Sequence, residues 1–503
     1  MLLLWISIAN IFGNGITISN VSVINNAGVG QLKFDVSWEN GWRSSTLNNW
    51  DAAWIFAKYK IVEGQWQHIY FTLANNVIPG GFTASQAAGG EGSFLYRSSA
   101  GSGTTTITDV RLGIPASISM GVFDIKVFAI EMVYIPQAAF YLGDGSGSAN
   151  STFATSNTYL TPALVDNENV GAGIYDGYGG GLLTTLPVVF PKGYNAFYTM
   201  KYELTQGAYR DFLNTLSYAQ QVNHTIFSPG SATGTSALNA LSGINRAYIE
   251  IKTPGVAVSN TPAVYGCDAS GNNIFDQSTD GEWVACNFLN WQDASAYLAW
   301  SALRPMTEME YEKMCRGIAA PVTGEYAWGT NSIATTQLTL ANASETNEIA
   351  TNASAVLGNA NTTSTLPSSP NNGPLRNGIF ATATSDRLTS GGSFYGVLEL
   401  TGNLLEKVVC PSNATYGRIF NGVHGNGTIN ASGYATLSTW PGYFSGSSSI
   451  DGNNDEWGTI NKGGAISGAS FLQVSYRIGP NQPSGLTNGR FMQNGCRGVR
   501  TAP

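Results

Sequence analysis

The stretch from Cys286 to Gly317, CNFLNWQDASAYLAWSALRPMTEMEYEKMCRG, constrains this chain more than any other, because it specifies two helices and the turn between them. Asn290, or the Trp291-Gln292-Asp293 segment, supplies a cap, and Ala294, Tyr297, Leu298 and Ser301-Ala302 recur at three- and four-residue steps, which predicts one buried face. A short Leu303-Arg304-Pro305-Met306 link leads to Thr307. Its hydroxyl can accept from the amide of Glu310 while the Glu310 carboxylate bonds back to the Thr307 amide, so Thr307-Glu308-Met309-Glu310 reads as a capping box. Met309, Tyr311, Met314 and Cys315 form the inward side of the second helix, and Gly317 ends it. The two helices are expected side by side against a small twisted sheet.

Before this stretch the pattern changes period. Leu32, Phe34, Val36 and Trp38 alternate with polar residues, the mark of a half-buried strand. A second strand, 52–61, is apolar on both faces, a third runs 66–73, and 107–112 and 122–130 follow, with Gly- and Ser-rich punctuation from Gly80 to Gly103. Residues 16–130 therefore read as an all-β, sandwich-like domain. Trp38, Trp42, Trp50, Trp54 and Trp66 lie close together in sequence and read either as core and rim or as a sugar-stacking platform. No linker marks the passage to 131–503. That second part carries long polar insertions, Gly143 to Gly181, Gln221 to Gly243 and Thr330 to Pro374, of the kind that are functional or mobile in compact domains.

A chain of 503 residues exceeds one ordinary domain of about 100–200 residues, so two domains are expected. Charged residues make up 11%, against roughly 25% in typical soluble proteins, and the net charge is −8. No Lys/Arg cluster is present to neutralise phosphates, which argues against nucleic acid as a partner. The histidines His68, His224 and His424 are scattered and form no metal-ligand spacing. Five cysteines, Cys267, Cys286, Cys315, Cys410 and Cys496, leave at least one unpaired, and only Cys267 with Cys286 closes a short loop.

Met1 to Phe12 is an apolar run similar to the core of a secretory signal, without the basic residue expected before it, so 1–15 is a signal-like segment. It is too short to span a bilayer, which needs about 20 residues. Its alternative is a buried first strand. Asn-x-Ser/Thr triplets at Asn20, Asn150, Asn223, Asn342, Asn352, Asn361, Asn413, Asn426 and Asn430 would mark surface loops if the host glycosylates. The expectation is a secreted or cell-surface protein with no membrane span.

The helical stretch also resembles a known family signature. Trp291-x-Asp293-Ala294, followed by Leu303-Arg304-Pro305-Met306-Thr307-Glu308-Met309-Glu310-Tyr311-Glu312 and Arg316-Gly317, resembles the formylglycine-generating enzyme (sulfatase-modifying factor) family. Further landmarks follow in order: Met132 to Pro136 with Phe140 to Gly143, Tyr202 to Gln206 with Tyr209 and Phe212, Tyr326 to Gly329, Leu400 to Glu406, Lys462 to Gly464, and Arg497 to Arg500. The resemblance covers roughly 131–503. It implies an α+β, C-type-lectin-like fold with long loops, here preceded by the β domain.

The catalytic members of that family oxidise a substrate cysteine using copper(I) held by two thiolates shortly after the Gly-Gly element. The matching run, Gly463 to Arg477, holds no cysteine, so copper is not expected. Structural calcium near the Gly-Asn-x-x-Glu element is implied for Asn403 and Glu406, and Asp451, Asn453 and Asp455 alternate like the start of a calcium loop. Gln473, Tyr476 and Arg477 are left as candidate binding residues on a loop-walled surface. Three functions follow: a non-catalytic extracellular or surface protein that binds a glycan or protein ligand or assembles with copies of itself; a subunit of a filament, surface layer or phage particle; or an oxidase with displaced ligands.

Overall fold

The computed structural model describes residues 15–503 except 27, 62–63, 120, 122, 149–151, 170–172, 177–180, 184–185, 241–243, 413–414, 444–448, 451–457, 467–471 and 478–488. The signal-like segment lies outside the described residues apart from Gly15.

The N-terminal part is built from strands β1 (Thr17–Asn26), β2 (Val29–Arg43), β3 (Asp51–Lys60), β4 (Gln67–Ile69), β5 (Thr72–Val77), β6 (Phe82–Gln86), β7 (Ser93–Arg97), β8 (Gly101–Ile114) and β9 (Asp124–Ile135). One sheet has the order β1-β2-β8-β5. The alternation along β2 places Leu32, Phe34, Val36 and Trp38 inward, against Ala53, Ile55 and Ala57 of β3 and Val127 and Ala129 of β9. The region is thus mostly strands, as expected, with two sheets contributing to this core.

Its second sheet does not stop at the expected 130/131 boundary. β9 crosses that point and pairs with β3 from Asp51↔Val133 to Lys60↔Asp124, and on its other side with the strand Phe197–Met200, which pairs in turn with Val499–Thr501. With β7, β6 and β4 this makes a seven-stranded antiparallel sheet shared by both halves of the sequence. β3, apolar on both faces, is buried from Asp51 to Lys58 because it lies inside this sheet.

Five α-helices lie among the described residues: α1 (Ala116–Ser119), α2 (Gln206–Leu213), α3 (Tyr218–His224), α4 (Trp291–Trp300) and α5 (Glu308–Arg316). Both signature helices carry capping boxes, Asn290 with Asp293 and Thr307 with Glu310. Gly317 ends α5 at φ +64°. The helices lie on opposite faces of the sheet, not side by side. Trp300 of α4 packs on Phe56 and Phe128, whereas Tyr311, Met314 and Cys315 of α5 pack with Val133, Ile135 and Phe197, whose side chains point the other way. The half-apolar pattern of each helix also understates its burial, because every residue of both is buried. The charged side of α5 is covered by long loops and matched residue by residue: Glu310 holds Arg304 at 2.6 and 2.9 Å, Glu312 holds Arg316 at 3.0 Å, and Arg316 also holds Glu325.

The carbonyl end of α4 is closed from afar. Trp54 Nε1 donates to Ser301 O at 2.9 Å, Lys58 Nζ to Trp300 O at 2.7 Å, and Arg500 to Ala302 O. Lys58 also donates to His68 Nδ1 at 2.9 Å. Cations at a helix C-terminus meet carbonyls that the helix cannot satisfy itself. Thr307 Oγ1 accepts from Glu310 N at 3.1 Å and donates to Pro191 O at 2.9 Å. Thr307→Ala is therefore expected to destabilise the protein by about 1–2 kcal/mol; an unchanged urea midpoint would count against the cap.

Candidate functional site

The Leu400–Glu406 turn lies in a polar part of the interior. Gly402 takes φ +84°, and a Cβ there would come 2.7 Å from Asn361 O. Asn403, at φ +62°, accepts from Leu375 N at 2.8 Å and Asn361 Nδ2 at 3.1 Å, and donates to the carboxylate of Glu203. Glu203 also accepts from Leu404 N at 2.9 Å, and Glu406 accepts from Arg497 Nε at 2.7 Å. Arg497 goes on to Met200 O and Leu398 O at 2.8 and 2.7 Å, so one guanidinium ties the turn to the sheet. Burial and mutual repulsion push Glu203 well above the ordinary carboxylate range, and burial pushes Glu399 up to about 7. Calcium takes six to eight oxygens. The Asn403 oxygen and one Glu406 oxygen already accept from protein donors, which leaves only the second Glu406 oxygen without a partner, far short of that number, so these two residues do not fit a calcium ion in this arrangement.

Beside this turn, between the sandwich and the later part of the chain, opens a cleft of about 680 Å³. Glu39, Asn40 and Trp42 from β2 form one wall; Trp283, Thr346, Asn347, Arg376, Gly396 and Leu398 form the other; Lys201 and Tyr202 lie between. Lys201 Nζ lies 3.2 Å from both Asp51 and Glu131 and bonds Asn40 O at 3.3 Å. Asp51 in turn accepts from Trp42 N at 2.8 Å and Trp38 Nε1 at 3.2 Å. Arg376 is fixed by Glu348, donating from Nε to its carbonyl at 2.9 Å and from the backbone N to its carboxylate at 3.0 Å. The cleft is thus a mixed surface with aromatic residues from three separate segments.

Residues 189–484 match the family described as the sulfatase-modifying factor enzyme 1-like domain, which is more than half of the chain. The chain belongs to this family. No curated protein matches it. The landmarks at Met132 to Gly143 and Arg497 to Arg500 fall outside the matched residues, yet both enter the shared sheet or its margin.

The remaining sequence candidates scatter. Arg477 is not on a surface: it is wholly buried, paired with Glu308 and Asp176, hydrogen-bonded to Ser412 Oγ at 2.7 Å and stacked over Phe153. Glu308, buried beneath it, is pushed up to about 8 by desolvation. Gln473 and Tyr476 are half-buried nearby. Asp451, Asn453, Asp455, Asn150 and Asn413 lie outside the described residues. Asn361 cannot be a glycan acceptor in the folded chain, because it is buried and its Nδ2 bonds Gly373 O at 2.9 Å. Asn223 bonds Ser432 O at 2.9 Å from within α3, Asn20 bonds Asp35, and Asn430 is half-buried, while Asn342, Asn352 and Asn426 are exposed. The five tryptophans form no common platform: Trp38 and Trp54 are fully buried on opposite sides of β3, Trp50 is buried, and Trp42 and Trp66 line different clefts. All five cysteines are buried free thiols, including Cys267 and Cys286. His224 is buried against Asp293 at 2.9 Å, a core pair. Sequence reading missed Tyr202, Trp283 and Arg376 as cleft residues; their spacing in the chain carries no period that would group them.

Proposed function

We propose that this family member is a non-catalytic binding protein, acting outside the cell or on a surface, on a C-type-lectin-like scaffold. The observation that carries this reading is the state of its thiols. Copper(I) chemistry requires two converging thiolates. The segment that would supply them offers Ile466, Ser467, Ser470 and Val474, and the cysteines present elsewhere sit in apolar cores. Burial pushes Cys315 up to about 12 and holds Cys267, Cys286 and Cys496 above their usual range. Among the described residues, no three His, Cys, Asp or Glu side chains gather at a metal-sized site. No helix among them is long and apolar enough to cross a membrane. A scaffold without that chemistry but with a preformed cleft is suited to recognition. Incubated with copper, oxygen and a cysteine-bearing sulfatase peptide, the protein is expected to leave the thiol intact by mass spectrometry; turnover above a no-protein control would overturn this reading.

A further inference from the structure

We infer that the cleft between the sandwich and the family domain binds an uncharged oligosaccharide against the ring of Trp42; the inference rests on the binding reading above and gives it a ligand class. The volume of about 680 Å³ lies within the range of small-ligand sites, roughly 300–1,000 Å³. Trp42 is the accessible ring, and Tyr202 and Trp283 are nearly buried walls. Flat rings match the C–H faces of a pyranose, leaving its hydroxyls to polar groups at the edge. Such groups are present: Asn40 and Asn347 are exposed residues of the cleft lining, and neither side chain makes a hydrogen bond among the described residues.

The position of Trp42 is built. Its backbone N–H is held by buried Asp51, and Gly396 lies beneath the ring at φ +82°, where a Cβ would come within 3.0 Å of Trp42 Cζ2. Only a glycine leaves the ring in this place without strain.

Charge decides between a neutral and an anionic sugar. Lys201 is already flanked by Asp51 and Glu131, and the Arg376 guanidinium donates to the Glu348 and Asn377 carbonyls with the carboxylates of Glu348, Glu399 and Glu39 around it, so an added carboxylate would join an excess of like charge. Glu39 is exposed on the wall and makes no ion pair among the described residues. An acidic sugar would meet an unmatched carboxylate, and a neutral one would meet none of this cost.

The test titrates the full-length protein with cellotetraose, chitotetraose and maltotetraose, with a hyaluronan tetrasaccharide as the anionic comparator, following tryptophan fluorescence and heat. Saturable binding of at least one neutral tetrasaccharide is expected, weaker by about ten-fold in Trp42→Ala and by about three-fold in Asn347→Ala. Asn347 is on an exposed turn, so that variant keeps the test open should Trp42→Ala fail to fold. Three results would overturn the inference: no neutral sugar bound up to about 10 mM, weaker than any specific site; binding untouched by both substitutions; or preference for hyaluronan. Such failure leaves the non-catalytic reading standing, since only turnover of the cysteine peptide bears on that.

Discussion

A chain that begins at residue 131 is expected not to fold. The cut falls inside β9 and removes β3, the strand that pairs with it over ten consecutive positions. The face that carries α4 would lose Trp50, Ala52, Trp54, Phe56 and Phe94 from its core. Each fully buried aromatic contributes roughly 2–3 kcal/mol, so the three largest alone approach the whole stability of an ordinary domain, about 5–15 kcal/mol. The end of α4 would also lose two of its donors, Trp54 and Lys58. Expression of 131–503 beside the full chain, followed by circular dichroism and urea unfolding, should give an insoluble or non-cooperative fragment. A soluble fragment with a sharp transition would show that the two halves are independent.

Replacing Lys201 by methionine is expected to cost about 3–5 kcal/mol, the scale seen when one partner of a buried charge cluster is removed. Asp51 would remain buried without its cation, and Glu131 would lose its Lys201 partner. Burial pushes Glu131 up to about 8 despite Lys201, and its second oxygen has no hydrogen-bond partner, a position suited to the proton. A carboxyl with a raised folded pKa binds its proton more tightly folded than unfolded. Its contribution is therefore fully present below the unfolded value of about 4.5 and is lost as the pH rises through about 8. Glu308 works in the same direction over the same window. Urea midpoints measured from pH 5 to 8.5 should fall with rising pH, and Glu131→Gln should flatten the slope. A midpoint that rises across this range would contradict the protonated state assigned to Glu131.

The signature helices were legible because their boundaries are local chemistry: Asn290 with Asp293 and Thr307 with Glu310 are three residues apart, and Gly317 supplies a conformation other residues avoid. The β2 alternation was legible for the same reason, since a period of two shows in any short window. What escaped notice depends on distant partners. Nothing near residue 130 announces that 124–133 pairs with 51–60. β7 hides in the Gly-rich run because Ser93–Arg97 is short, although Phe94 and Leu95 are fully buried. The charged face of α5 looks solvent-facing until Arg304 and Arg477 are brought to its acids and Glu325 to Arg316. The Gly-Asn-x-x-Glu element was found as a motif, but the Asn403 oxygen proved to hold amide donors and one Glu406 oxygen a guanidinium, which no spacing reveals. The cleft draws its walls from segments as far apart as Glu39 and Leu398 and left no trace in the order of residues.

The long-range closure of α4 also bears on how the chain reaches its native state. Trp54 and Ser301 are separated by 247 positions, Lys58 and Trp300 by 242, and Arg500 and Ala302 by 198. The entropy of bringing such distant segments together grows slowly with length, about 0.6 kcal/mol per doubling, but it must be met before the contact gives anything back. The amino end of α4 can form early on its own capping box, while its carbonyl end waits for β3 and the Val499–Thr501 strand to arrive. Folding should therefore be slow and late-closing, with the last turn of α4 among the final pieces of backbone to gain protection from exchange with solvent.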